Sequence, residues 1–205
     1  MQKILFLGPP EAGKTSLRKF LFENVPAKEL LEQPEAPTVG IKYNQYEYVT
    51  TLPADKSGPQ GEKVPVQLSV LDSAGQYLGK WLNERKDRVF PGSDLIFFIF
   101  DVSTWLDDTK REEIEDAIMK IYNARMELAE GSSFYIIGHK FDLLPEGKTY
   151  REQMAKRIKR EMNEYVFDKM LKYLDFDVYL TSLYYEQDTF LTLINLTTDL
   201  LSRMT

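Results

Sequence analysis

Near the start of the chain, Gly8-Pro9-Pro10-Glu11-Ala12-Gly13-Lys14-Thr15 has the form GxxxxGKT, with a cation and a hydroxyl directly after its second glycine. Set between a strand and a helix, such a turn aims successive backbone N–H groups at an anion, and the helix dipole adds partial positive charge. Lys14 is then placed to bridge the outer phosphates of a nucleotide and to act in catalysis, and Thr15 to ligate magnesium. Glu11, Ala12, Gly13 and Ser16 complete the expected phosphate cradle. Pro9 and Pro10 have no N–H to offer, and Glu11 is expected to point its carboxylate outward.

A second constellation, Asp72-Ser73-Ala74-Gly75-Gln76, reads DxxGQ and follows the apolar Val70-Leu71. A carboxylate at a strand end is placed to hold magnesium through a water, which assigns Asp72. The Gly75 N–H is expected to sense the terminal phosphate, and Gln76 to orient an attacking water. Between the two motifs lies Ala36-Pro37-Thr38-Val39-Gly40. Thr38, rather than Thr50 or Thr51, is expected to join magnesium only while the terminal phosphate is present, and counts with Lys14 and Gln76 as catalytic.

Base identity is expected to be read at Gly138-His139-Lys140-Phe141-Asp142. The Asp142 carboxylate can accept two hydrogen bonds from guanine's ring N–H and exocyclic amine, a donor pair that adenine lacks, and the Lys140 stem can lie over the base. His139, the one histidine, is expected to tie this loop to the phosphate loop by hydrogen bonding rather than to transfer protons. Thr181, Ser182 and Leu183 are expected to supply backbone and hydroxyl donors to the base oxygen.

The elements that must carry these groups alternate. Ile4 to Leu7 reads as a short apolar strand, Lys14 to about Glu23 as a helix, and Ile41 to Thr50 and Val64 to Leu71 as strands joined by a polar tip over 52–63. An irregular helix is expected over 76–90, a buried central strand over 94–100, a long helix over 108–130 and a buried strand over 133–138. A helix from about 150 to 173, a strand over 176–180 and a helix over 188–203 close the chain. This order implies an α/β fold, one domain over 1–205, with a mostly parallel sheet covered by helices on both faces.

Composition narrows the chemistry. A formal net charge of -6 and a pI near 5.0 argue against a nucleic-acid partner. With no cysteine there are no disulfides, thiolate metal sites or lipidated thiols, which suits a cytoplasmic setting. Gln2 stands where myristoylation needs glycine, so no direct lipid anchor is expected and any membrane recruitment must run through a partner. Tyr77, Leu78, Trp81 and Leu82 either form a partner surface or pack into the domain.

Together these residues resemble the small GTPase superfamily, and most closely its Rag/Gtr branch. The resemblance rests on Gly13-Lys14-Thr15-Ser16-Leu17-Arg18 with Phe22 and Asn24, and on Asp72 to Gln76 with Arg85, Asp87 and Phe90 ahead of Phe100-Asp101-Val102. It rests also on His139-Lys140-Phe141-Asp142, where Ras-like and Arf-like members usually begin with asparagine, and on Thr181-Ser182-Leu183 before Glu186. Pro37-Thr38-Val39-Gly40 is similar to Arf proteins. The resemblance implies the three-layer Ras-like P-loop fold, GTP or GDP with Mg2+ as ligands, effector, activating and exchange proteins as partners, and pairing with a second GTPase. The chain is expected to hold the GTPase domain without the C-terminal roadblock-type dimerisation domain of that branch. The leading expectation is a GTP-hydrolysing switch; the alternative is a nucleotide-binding scaffold with little turnover. An ATP-using kinase is disfavoured by His139-Lys140-Phe141-Asp142.

Overall fold

Continuous apolar runs with no polar face can be satisfied only between two layers, and that is where Ile4 to Leu7, Leu95 to Phe100 and Phe134 to Ile137 lie. The computed structural model of the chain describes residues 2–33, 36, 41–51, 63–73, 78–145, 148–170 and 176–202. Within these, strands β1 (Gln2–Leu7), β2 (Ile41–Thr51), β3 (Lys63–Ser73), β4 (Leu95–Asp101), β5 (Ser133–His139) and β6 (Asp177–Thr181) form one sheet in the order β2-β3-β1-β4-β5-β6. β2 pairs antiparallel with β3, and every other pairing is parallel.

The described helices are α1 (Lys14–Phe22), α2 (Ala27–Glu32), α3 (Leu78–Glu84), α4 (Lys86–Val89), α5 (Asp108–Leu128), α6 (Lys148–Met170) and α7 (Glu186–Ser202). Alternate residues of β4 sort them into two layers. Ile96, Phe98 and Phe100 face the core made with α3, α4, α5 and α6, whereas Leu95, Phe97 and Ile99 face the one made with α1, α2 and α7. This is the three-layer arrangement expected from the alternation of elements.

Several boundaries differ from the sequence reading. The 76–90 segment contains two short helices, α3 and α4, separated at Arg85, whose φ of -135 is not helical. Leu78 and Leu82 pack into the core, while the Trp81 side chain and Tyr77 lie outside what the structure describes. The hairpin tip 52–62 lies outside it as well. α2 was not expected, and neither were the 3-10 turns Val102–Leu106, Phe141–Leu143 and Leu183–Tyr185. No helix among the described residues is long and apolar enough to cross a membrane.

One buried carboxyl lies between the long helices. Glu115 on α5 is 5% exposed, and Arg111 Nε lies 4.0 Å from its carboxyl. Glu161, across on α6, is held by Trp105 Nε1 at 2.8 Å and Arg157 Nε at 2.7 Å. Burial pushes the Glu115 carboxyl up to about 7; the negative charges of Glu161 and Glu112 add to this, and Arg111 and Lys169 oppose it. The folded protein thus keeps this proton over a range, from about 4.5 to about 7, in which an unfolded glutamate releases it. Stability contributed by this group is present at low pH and falls as pH rises through that window. Glu115→Gln is expected to unfold at a higher urea concentration than the parent at about pH 8, with the gap closing toward about pH 5.

Candidate functional site

Parallel pairing brings the carboxyl ends of five strands to one edge of the sheet. Register sets Phe6 beside Asp72, Asp101 beside His139, and His139 beside Thr181. The phosphate loop, Asp72 and the two base motifs follow or end strands at this edge, where ligands of open parallel sheets bind.

The phosphate loop turns out of β1 through Gly8, whose φ of +145 is open to glycine and where a Cβ would lie 1.9 Å from the Ile99 carbonyl oxygen. Gly13 caps α1 in the left-handed region at φ 85, and its carbonyl accepts from Leu17 N at 2.9 Å. Glu11 also has positive φ, at 60, and its side chain is exposed, as expected, while Ala12 is buried. Lys14 is 6% exposed, and its Nζ donates to the Pro9 carbonyl at 2.6 Å, folding the side chain back over the loop that precedes it. Thr15 and Ser16 are half-buried in the first turn of α1. A glycine-hinged turn, a helix N-terminus and a buried ammonium together fit a polyphosphate.

At the other end of the edge, two 3-10 turns face each other, Phe141–Leu143 and Leu183–Tyr185. Ser182 Oγ donates to Asp142 Oδ1 and accepts from Tyr184 N at 3.2 Å. Thr189 of α7 holds the Ser182 backbone from both sides, accepting from its N–H at 2.9 Å and donating to its carbonyl at 2.7 Å. Two expected donors are therefore already engaged. The Ser182 N–H is taken by Thr189, and the fully buried Thr181 hydroxyl shares a 2.9 Å hydrogen bond with His139 Nδ1. Leu183 remains the member of that trio from which a backbone donor to a base is expected.

His139 departs from its expected wiring. Its hydrogen bond goes to Thr181, within the base-side edge, and it meets the phosphate loop by packing: a Cβ on Gly13 would sit 2.5 Å from its Cδ2. Burial pushes its pKa down to about 4, and the Lys140 cation adds to the shift, so the ring is neutral at physiological pH. A buried neutral imidazole suits a spacer between the two loops. Lys140 takes the left-handed conformation at φ 60 and donates from Nζ to Asp101 Oδ2 at 3.0 Å. Burial favours the neutral Asp101 carboxyl, but hydrogen bonds from Ser103 and Lys140 outweigh it and hold the pKa below its usual value.

Asp101 and Thr189 were not singled out as site residues, because a lone polar residue at a strand end or on a helix leaves no periodic signal. Asp72 is located by its backbone alone, at the end of β3 between Phe6 and Lys42. Thr38, Gly75 and Gln76 lie outside the described residues. Among the described residues no group of three His, Asp or Glu side chains is placed to hold a metal. Of the three expected magnesium ligands, Thr15, Thr38 and Asp72, only Thr15 has a described side chain, a hydroxyl in the first turn of α1 that suits an oxygen-seeking divalent ion.

The two glycines Gly13 and Gly92 separate backbone strain from steric exclusion. Gly92 has φ 69 with nothing within 4 Å of a built Cβ, so Gly92→Ala carries only left-handed strain, about 1 kcal/mol. Gly13→Ala must in addition displace the buried His139 ring. Its urea unfolding midpoint is expected to drop well below that of Gly92→Ala.

The sequence model of the Gtr1/RagA G protein conserved region matches residues 3–192. The Ras-related GTP-binding protein A of Dictyostelium discoideum is 24% identical over 169 residues, covering 80% of this chain and 48% of that protein, so the chain spans about half the length of this curated relative. The solved structure of the Arl6 BBS3 small GTPase from Trypanosoma brucei, with the bound nucleotide analogue GppNp, superposes with a TM-score of 0.60 at 17% identity, covering 100% of this chain and 99% of that one. The mammalian SRP receptor superposes with a TM-score of 0.58 at 14% identity, covering 95% and 100%. These two likenesses speak to fold, and the match over 3–192 to family: the chain belongs to the Gtr1/RagA G protein family and has the fold of a small GTPase domain.

Proposed function

We propose that this domain binds GTP and GDP with magnesium, hydrolyses GTP, and engages partner proteins in its GTP-bound state. The observation that carries the reading is the shared edge, where a glycine-hinged loop with buried Lys14 stands at the end of β1 and the Asp142–Ser182 pair at the ends of β5 and β6. One end suits phosphates and the other a base with adjacent N–H donors.

In the proposed reaction, water attacks the terminal phosphorus, the bond to the bridging oxygen of GDP breaks, and phosphate leaves. Backbone N–H groups from Glu11 to Thr15 hold the phosphate oxygens, and Lys14 offsets the charge on the outer two phosphates. Gln76 orients the water. Thr15, Thr38 and Asp72, the last through water, are the residues that would hold magnesium. When bound, that ion supplies charge compensation across the outer phosphates. Thr38 and the Gly75 N–H lose their contacts when the terminal phosphate departs, and this loss changes the surface offered to effectors. Turnover is slow until an activating protein supplies a stabilising group such as an arginine. The absence of cysteine suits a cytoplasmic setting, with any recruitment to membranes running through a partner.

Two substitutions test separate halves of this reading. Gln76→Leu is expected to leave GTP and GDP affinities nearly unchanged while slowing single-turnover GTP hydrolysis on the order of tenfold or more, because leucine cannot position water. Equal rates would favour a nucleotide-binding scaffold over an enzyme. Asp142→Asn replaces an acceptor with a donor, so competition binding is expected to shift preference from guanine toward xanthine nucleotides. Retained guanine selectivity in that variant would place base recognition elsewhere.

A further inference from the structure

Two adjacent contacts tie the 3-10 turns that flank the expected base position, and only one of them is polar. Beside the Ser182–Asp142 hydrogen bond, the Phe141 and Tyr185 rings stack with centroids 4.8 Å apart and planes 26° from parallel. Arg151 of α6 closes the group, its guanidinium carbon 4.2 Å from the Phe141 ring centre and 5.9 Å from that of Tyr185. Arg151 is itself drawn toward α7 by Asp188 at 3.6 Å. Phe141 immediately precedes Asp142, and the Tyr185 N–H donates to the Ser182 carbonyl at 3.0 Å. The aromatic pair and the polar pair thus join the same two turns side by side.

This geometry matters because Ser182 engages a single oxygen, Oδ1, of Asp142. With one hydrogen bond the plane of the carboxylate is only as fixed as the turn that carries it, whereas reading two adjacent N–H groups requires a fixed plane. The ring stack, covered by the planar guanidinium, supplies the second point that resists rotation of the turn. Tyr185 is 47% exposed, more than a residue recruited for core packing, and the stack walls a groove of about 820 Å³. Removing the ring therefore opens that groove to solvent and leaves no sealed void in the core.

We infer that Tyr185 and Arg151 are positioning residues for base discrimination: through Phe141 they hold Asp142 in the orientation that reads the guanine edge. The inference rests on the proposed guanine recognition by Asp142. It concerns selectivity, so the readout is a ratio. GDP and IDP differ only in the exocyclic amine, one of the two donors that Asp142 is expected to read.

Dissociation constants of GDP and IDP are to be measured for the parent, Tyr185→Ala, Tyr185→Phe and Arg151→Ala. The parent is expected to prefer GDP. Tyr185→Ala and Arg151→Ala are expected to reduce that preference about three- to tenfold, the range for loss of an aromatic or cation–aromatic contact. Tyr185→Phe keeps the ring and should keep the preference. If Tyr185→Ala weakens GDP and IDP by the same factor, or changes neither, the rings serve packing alone and the inference fails. A parent that binds both nucleotides equally would instead overturn guanine reading by Asp142, and this proposal with it.

Discussion

The turn out of β1, and the seating of α1 beneath the sheet, depend on the absence of one carbon atom. At Gly8 a Cβ would lie 1.9 Å from the carbonyl oxygen of Ile99. That oxygen cannot give way, because β4 is buried from Leu95 to Phe100 and paired on both sides, with β1 and β5. The close approach lets the chain turn directly over the end of its neighbour and begin α1 only six residues later, at Lys14. From there Leu17, Phe20 and Leu21 reach back to pack with Ile4 and Phe6. A glycine in the loop is thus a condition for packing in the layer beneath it.

Further along the edge, polar side chains act across strand ends. His139 bonds to Thr181, Lys140 to Asp101, and Asp142 to Ser182, each linking neighbouring segments. Gly138 admits this wiring, since a Cβ there would meet Leu180 Cδ2 at 2.6 Å and Val102 Cγ2 at 3.1 Å. Strand ends are good foundations for such contacts. Their backbone positions are set by ladders within the sheet, so a hydroxyl or carboxylate placed on them has little freedom to drift.

Legibility in the sequence followed pattern length. β1, β4, α5 and β5 announced themselves because runs such as Leu95 to Phe100, or Ile114, Ile118 and Ile121 at helical spacing, repeat over several residues. α2 spans six residues, and the 3-10 turns at 141–143 and 183–185 three each, too few to show a period. The motifs of the candidate site stand in chain order in the sequence, and those that fall among the described residues lie at strand ends. What pattern could not reveal was the partner of each polar group. Thr189 was read as part of a helix, yet it occupies both backbone polar groups of Ser182, a contact between residues that share no motif. Nor did the sequence reveal that His139 would be neutral, which follows from its burial among β5, Gly13 and Thr181.

The sheet order also imposes a schedule on synthesis. β1 is the first described strand to leave the ribosome, yet both its neighbours are made much later: Ile4 lies beside Val70 on one side and Leu95 on the other. The Lys3 N–H waits for the Asp94 carboxylate, 91 residues further on, before closing a 2.8 Å hydrogen bond. At ordinary translation speeds that interval is roughly 5–20 s, during which Ile4, Leu5 and Phe6 have no native partner on at least one side. The segment that carries the phosphate loop is therefore born early and locked late. Until β4 emerges it is an apolar strand with at least one open edge, the kind of sequence that chaperones bind, and the Ile99 carbonyl that the turn at Gly8 approaches is made only at the end of that interval.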